Sequence, residues 1–191
     1  GVVGLMGYNL CAEFEEYPKK KEYDTQTPDF HFGVYSTIYI FEHETGRFYI
    51  STKKDEIHEP KIEKKDINDA WSAENFSQVA GKQEYESYVK KTVHYIHAGD
   101  VFQANLAHPI QFDFSGDPAQ LFESIRKQNP SPYNAYYNTP EFTVVSNSPE
   151  LLYSVRGRHV KTKPIAGTRP RGKNADDEAL LKEELFISEK E

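Results

Sequence analysis

Apolar and polar positions alternate through FGVYSTIYIFEH and again through RFYIST, with Glu44-Thr45-Gly46 between them. A period of two broken by a short glycine-containing turn predicts a β-hairpin. From Lys53 to Asn68 the chain is rich in Lys, Glu and Asp and reads as a surface connection with some helix. In QEYESYVKKTVHYIHAGD the period changes, and Tyr85, Tyr88, Val89, Val93 and Ile96 share one helical face with Gly99 at the C-cap position. After Asp100, VFQANLAHPIQFDF predicts a strand starting near Val101, with Pro109 as a break or bulge. GDPAQLFESIRKQN predicts a second helix, capped by Asp117, started by Pro118 and facing the core with Leu121, Phe122 and Ile125. Strands follow in YNAYYN, FTVVSNS and LLYSVRGRHVKTK, the last folded at an Arg156-Gly157 turn. The final stretch, NADDEALLKEELFISEKE, predicts a helix with Asn174 as N-cap, Asp177 in the first turn and a stripe of Leu180, Leu181 and Leu185. Hairpins mixed with separated helices argue an α+β fold, not a doubly wound parallel sheet.

Composition narrows the partners. The 191 residues carry a net charge of -7 with 37% hydrophobic and 14% aromatic content, enough for a packed core and the wrong sign for an extended nucleic-acid or acidic-membrane footprint. The expected partner is small. One cysteine, Cys11, suits a reducing compartment, and the sequence has neither a bilayer-length apolar run nor a signal core, so a cytoplasmic location is expected. Two features suggest that the sequence is a piece of something longer: its one methionine is Met6, and its last helix has no stop signal.

Chemistry concentrates near KPIAGTRPRG. Lys161, Lys163, Arg169, Arg171 and Lys173 cluster in an otherwise acidic chain, and Gly167 lets the backbone approach a ligand. Such a turn suits a carboxylate or phosphate; a solvated hairpin edge would show the same lysines. Glu150, in SNSPELL, is a candidate acid, base or cation partner, or simply a charge at a strand end. His94, His97 and His108 form no metal spacing with a third ligand, and no zinc is predicted. Nucleophile-elbow, phosphate-loop and dinucleotide fingerprints are missing from the sequence.

Taken together, AGDVFQANL, NPSPYNAYY, SNSPELL and PIAGTRPRG, in this order and at these separations, resemble the chorismate-utilising enzymes. GLMGYNL and the EFE at Glu13 to Glu15 are similar to the N-terminal region of that family. The resemblance implies layered antiparallel β-sheets flanked by helices, with residues 1–82 as an N-terminal region and 83–191 as the start of the chorismate-binding core. It also implies that Ala166, Gly167 and Thr168 form the substrate-binding turn, in surroundings whose positive charge favours a dianion. Magnesium is the implied cofactor, held by glutamates beyond residue 191: Glu191 is similar to the last residue of a family D-x-K-E run, and no metal ligand is expected within this chain. The 191 residues alone are expected to turn over no chorismate and to self-associate.

The family divides by nucleophile. Its water-using members place a lysine base at the position of Gln103, and an amide is not basic near neutral pH, so the resemblance implies the ammonia-using branch. Ammonia would come from a glutamine amidotransferase subunit. Within that branch, the Asn-Leu after Gln103 is similar to aminodeoxychorismate synthase component I, which makes 4-amino-4-deoxychorismate for p-aminobenzoate and folate. Some of those enzymes carry a lysine nucleophile where Ala166 stands, paired with a glutamate matching Glu150; Ala166 leaves direct ammonia addition or the alternative, anthranilate synthase component I. Pro132, Tyr133 and Asn134 match a regulatory pocket, where Asn134 replaces the methionine typical of tryptophan-inhibited enzymes. A non-catalytic binding or assembly module is the alternative of another class.

Overall fold

The computed structural model describes residues 1–16, 27–53, 55, 57, 59–60 and 71–188. The polar connection expected at Lys53 to Asn68 falls largely outside these residues, as does Glu191.

Each strand pairs with one neighbour, always in a two-stranded sheet among the described residues. β1 (Val2–Met6) runs antiparallel to β2 (Phe30–Val34), and a short 3₁₀ helix, Tyr8–Glu13, follows β1. The expected hairpin is β3 (Thr37–Glu42) with β4 (Arg47–Thr52), in register from Thr37 opposite Thr52 to Glu42 opposite Arg47. Gly46 closes its turn at φ 68°, a left-handed conformation that glycine adopts without a Cβ penalty. Phe32–Val34, read as the start of this hairpin, belongs with Phe30 and His31 to the β1 sheet instead. The alternation runs on across Tyr35-Ser36, so the period alone does not reveal the change of partner.

β5 (Trp71–Gln78) pairs antiparallel with β6 (Ile110–Gly116), and its register shifts between Glu74 and Ser77. There Asn75 takes φ 53° and donates from Nδ2 to Asp113 at 2.7 Å, the local side-chain bonding that lets asparagine tolerate this region. α1 (Lys82–Ala98) lies between them in sequence and ends at Gly99, φ 83°, as its spacing predicts. The strand expected near Val101 does not form; β6 starts only after Pro109. The Val79 amide donates to the Pro109 carbonyl at 3.3 Å, and beyond Val79 the partner chain turns through Gly81 into α1, leaving no β5 residue to pair with 101–108.

α2 (Pro118–Gln128) starts as expected, with the Ala119 amide donating to Asp117 Oδ1 at 2.9 Å. β7 (Tyr133–Asn138) and β8 (Thr143–Ser148) form the next sheet, and β9 (Leu151–Arg156) and β10 (His159–Lys163) the last. His159 faces Arg156, so the tight turn is Gly157-Arg158, one residue later than the sequence suggests, with Gly157 at φ 59°. In α3 (Ala175–Phe186) the Asn174 side chain accepts from the Asp177 amide at 2.8 Å, the cap read from the sequence.

The α+β class expected from the pattern is thus observed. The chain forms two compact units: Gly1–Leu121 with Tyr137–Val144, and Phe122–Tyr136 with the residues from Val145 onward. In the first, Tyr137 OH lies 2.7 Å from His31 Nδ1, and the His31 ring meets Tyr137 and Phe142 edge-on. Removal from water and the neighbouring Tyr35 push the Tyr137 phenol above its ordinary pKa. Among the described residues no apolar side chain is buried, and Ser124 alone falls below a tenth exposed. Val34, Phe102 and Leu152 are more than four-fifths exposed.

Candidate functional site

Two of the sequence motifs meet at the β9–β10 hairpin. Glu150 sits between the end of β8 and the start of β9, where its amide donates to Ser148 Oγ at 3.4 Å. The antiparallel pairing sets Lys163 opposite Leu151, after a register shift between Lys161 and Lys163. Thr162 Oγ1 donates to the Leu152 carbonyl at 2.7 Å beside this shift. The chain leaving β10 therefore passes Glu150, whose Oε1 accepts the Ile165 amide at 3.1 Å. A carboxylate read as a catalytic candidate is joined to the residue just before the Ala166-Gly167-Thr168 turn.

Gly167 has φ 77°, so the turn uses a conformation that any side chain would strain. Beyond it, Arg169 donates from Nη1 to the Thr168 carbonyl at 3.0 Å and from Nε to Glu184 on α3 at 3.4 Å. Arg171 pairs with Glu178 Oε1, while Glu178 Oε2 accepts the Gly172 amide at 2.7 Å. The Gly172 amide first, and Arg171 second, hold the Glu178 carboxyl below the ordinary glutamate range. Turn and helix enclose an open groove of about 550 Å³, with Gly167, Thr168 and Arg171 on one side and Glu178, Leu181 and Leu185 on the other. Of the apolar stripe on α3, Leu181 and Leu185 line this groove half-exposed, and Leu180 is 61% exposed.

These pairings change the electrostatic reading of the basic cluster. Arg169 and Arg171 are each matched by an α3 carboxylate, so their fields are partly cancelled at the turn. Lys161, Lys163 and Lys173 are the other cations of the cluster, all exposed. The backbone amides of the turn are thus a larger share of what it offers an anion than the count of basic residues suggests.

The other predicted positions stand as follows. Gln103 belongs to the first unit, exposed in the irregular stretch before β6. Pro132 is exposed at the start of β7, and Tyr133 and Asn134 are half-buried within it. Asn134 Oδ1 and, on β8, Asn147 Oδ1 are buried without hydrogen-bond partners. Such acceptors cost about 1–3 kcal/mol each when left unmatched. Asn147, Gly172 and Glu178 escaped the sequence reading. An asparagine inside the β-forming run FTVVSNS is a visible signal; Glu178 has none, since acidic residues fill the first turn of most helices. Among the described residues no three His, Cys, Asp or Glu side chains form a metal-holding group. The described residues thus do not make a magnesium cage.

A family model described as chorismate binding enzyme matches residues 1–191. The chain belongs to this family. The chain is 31% identical to aminodeoxychorismate synthase component 1 of Bacillus subtilis (strain 168), with all of the chain and 44% of that relative aligned. It is also 31% identical to anthranilate synthase component 1 of Saccharolobus solfataricus, again over all of the chain and 44% of the relative. Among solved structures, anthranilate synthase component I from Streptococcus pneumoniae TIGR4 superposes with a TM-score of 0.77 at 26% identity, covering all of this chain and 46% of that one. The chain spans a little under half the length of these relatives. Both kinds of synthase are among these relatives, so likeness establishes the family and not the member. No helix of the described residues is long and apolar enough to cross a membrane.

Proposed function

We propose that the whole protein carrying this chain aminates chorismate to 4-amino-4-deoxychorismate, and that the hairpin end and turn described above form part of its substrate site. The observation that carries the reading is the Glu150 to Ile165 hydrogen bond, because it places a titratable carboxylate beside the turn that the family resemblance assigns to substrate. Gly167 and Thr168 offer backbone and hydroxyl groups to a substrate carboxylate. Glu150 exchanges a proton at the reacting ring as ammonia bonds to carbon and the ring hydroxyl leaves as water. Gln103 stands where the resemblance gives water-using members a lysine base, and its amide cannot deprotonate water, which favours ammonia as the nucleophile. Magnesium, the cofactor that the resemblance implies, would be held by carboxylates outside this chain and would supply Lewis-acid stabilisation of negative charge. A glutamine amidotransferase subunit would supply the ammonia, and the setting would be the cytoplasm.

Production of anthranilate is the second reading, favoured by Ala166, which removes the lysine nucleophile found in some aminodeoxychorismate synthases, and by the likeness to an anthranilate synthase structure. Mass spectrometry of products formed from chorismate, magnesium and ¹⁵N-ammonia tests amination itself. Incorporation of ¹⁵N is expected; a product carrying only oxygen from water would overturn the ammonia-using assignment.

A further inference from the structure

The Ile165–Gly172 segment is held at both ends by a carboxylate that accepts a backbone amide. Upstream, Glu150 takes the Ile165 amide at 3.1 Å; downstream, Glu178 takes the Gly172 amide at 2.7 Å and pairs with Arg171. The downstream contact is also a close backbone approach. A Cβ added at Gly172 would fall 2.2 Å from the Glu178 amide nitrogen, 2.6 Å from Glu178 Cα and 2.8 Å from the Asp177 carbonyl carbon. All three are backbone atoms in the first turn of α3, fixed by the Asn174 cap, and cannot swing aside as a side chain can. Gly172 is therefore required by contact with the helix, whereas Gly167 is required by its positive φ.

We propose that Glu178, with Gly172, is a positioning residue that latches the downstream end of the Ala166–Thr168 turn to α3 and so sets the turn's affinity for substrate. This rests on the reading of that turn as substrate-binding. Glu178 touches no reacting atom in this scheme; it acts through the Gly172 amide and through Arg171. Between the two anchors, Pro170 restricts the chain, and Arg169 ties the Thr168 carbonyl to Glu184. Release of the latch would let the turn sample other conformations, and binding would bear the entropy of reordering it.

The test uses the whole protein and two independent measurements. Glu178→Ala is expected to raise the KM for chorismate roughly tenfold while kcat stays within about threefold, the pattern of lost ground-state binding. Glu178→Gln can still accept the Gly172 amide but loses the ion pair, so an intermediate KM is expected. Glu183→Ala, an exposed acid on the same helix, should leave both constants unchanged. Limited trypsin digestion reads the latch without substrate: cleavage after Arg171 and Lys173 should accelerate in Glu178→Ala and Gly172→Ala. Unchanged cleavage would overturn the latch. Faster cleavage with an unchanged KM would overturn its role in substrate affinity. If the wild-type protein proved inert toward chorismate, the proposed function would fall, and the cleavage pattern would still decide whether the latch exists.

Discussion

Glu150 and Ile165, fifteen residues apart, are joined by a carboxylate-to-amide hydrogen bond of 3.1 Å across the end of the β9–β10 hairpin. The contact separates position from charge at Glu150. Gln can accept the same amide, so Glu150→Gln should keep the turn in place while losing proton transfer, and kcat should fall by about 10²–10⁴-fold with little change in KM. Glu150→Ala removes the acceptor as well and should affect both constants. Steady-state kinetics of the two variants in the whole protein provide the comparison; equal kcat for wild type and Glu150→Gln would remove Glu150 from the chemistry.

In the whole protein Gln103→Lys should slow amination and introduce some water addition, since a lysine there supplies the base that the amide lacks. Chromatography of the products checks this. Unchanged amination kinetics would remove Gln103 from the choice of nucleophile.

The latch has a pH dependence of defined sign. Because Glu178 has a lowered pKa in the folded protein, its contribution is fully present above the ordinary glutamate range and is lost as pH falls through the lowered value. Arg171 and Lys182 are the cations that favour the charged form. The Gly172 amide resonance should report the titration at acid pH in wild type and show no such step in Glu178→Gln.

The hydrophobic period, caps and turn residues made most local elements legible. Gly99, Asp117, Pro118 and Asn174 sit where local backbone chemistry demands them, and the structure uses each as expected. Partner choice was less legible, because a strand's pairing depends on residues far along the chain. Phe32–Val34 looks like part of the β3 hairpin until β1 is seen beside it, and Val101 has strand character with no strand to pair with. At the site, the resemblance pointed to Glu150 and the Ala166–Thr168 turn, but the engagement of Arg169 and Arg171 by α3 required coordinates. A count of charges along a sequence does not say which are already matched.

The exposed apolar faces predict how the 191 residues behave in isolation. With no buried apolar side chain among the described residues, this chain on its own should bind a hydrophobic dye and self-associate during gel filtration. A monomeric chain that binds no dye and unfolds cooperatively would show that these faces find cover within one copy.

The Asn174 cap is a local test of the α3 anchor. Asn174→Ala should destabilise the helix start by about 1 kcal/mol, and trypsin cleavage after Lys173 should quicken because Gly172 packs against that same first turn. Unaltered cleavage would mean that the segment is held without the helix start.

The most direct test of the account is the product that the whole protein makes from chorismate, magnesium and ammonia, separated by retention time and read by fluorescence before and after adding the lyase that converts 4-amino-4-deoxychorismate. The expected result is p-aminobenzoate only after the lyase is added, with no strong inhibition by tryptophan and no lysine-linked adduct at Ala166. Anthranilate formed without the lyase would contradict the proposed product and make Ala166, not the Asn105-Leu106 pair, the informative feature of this sequence.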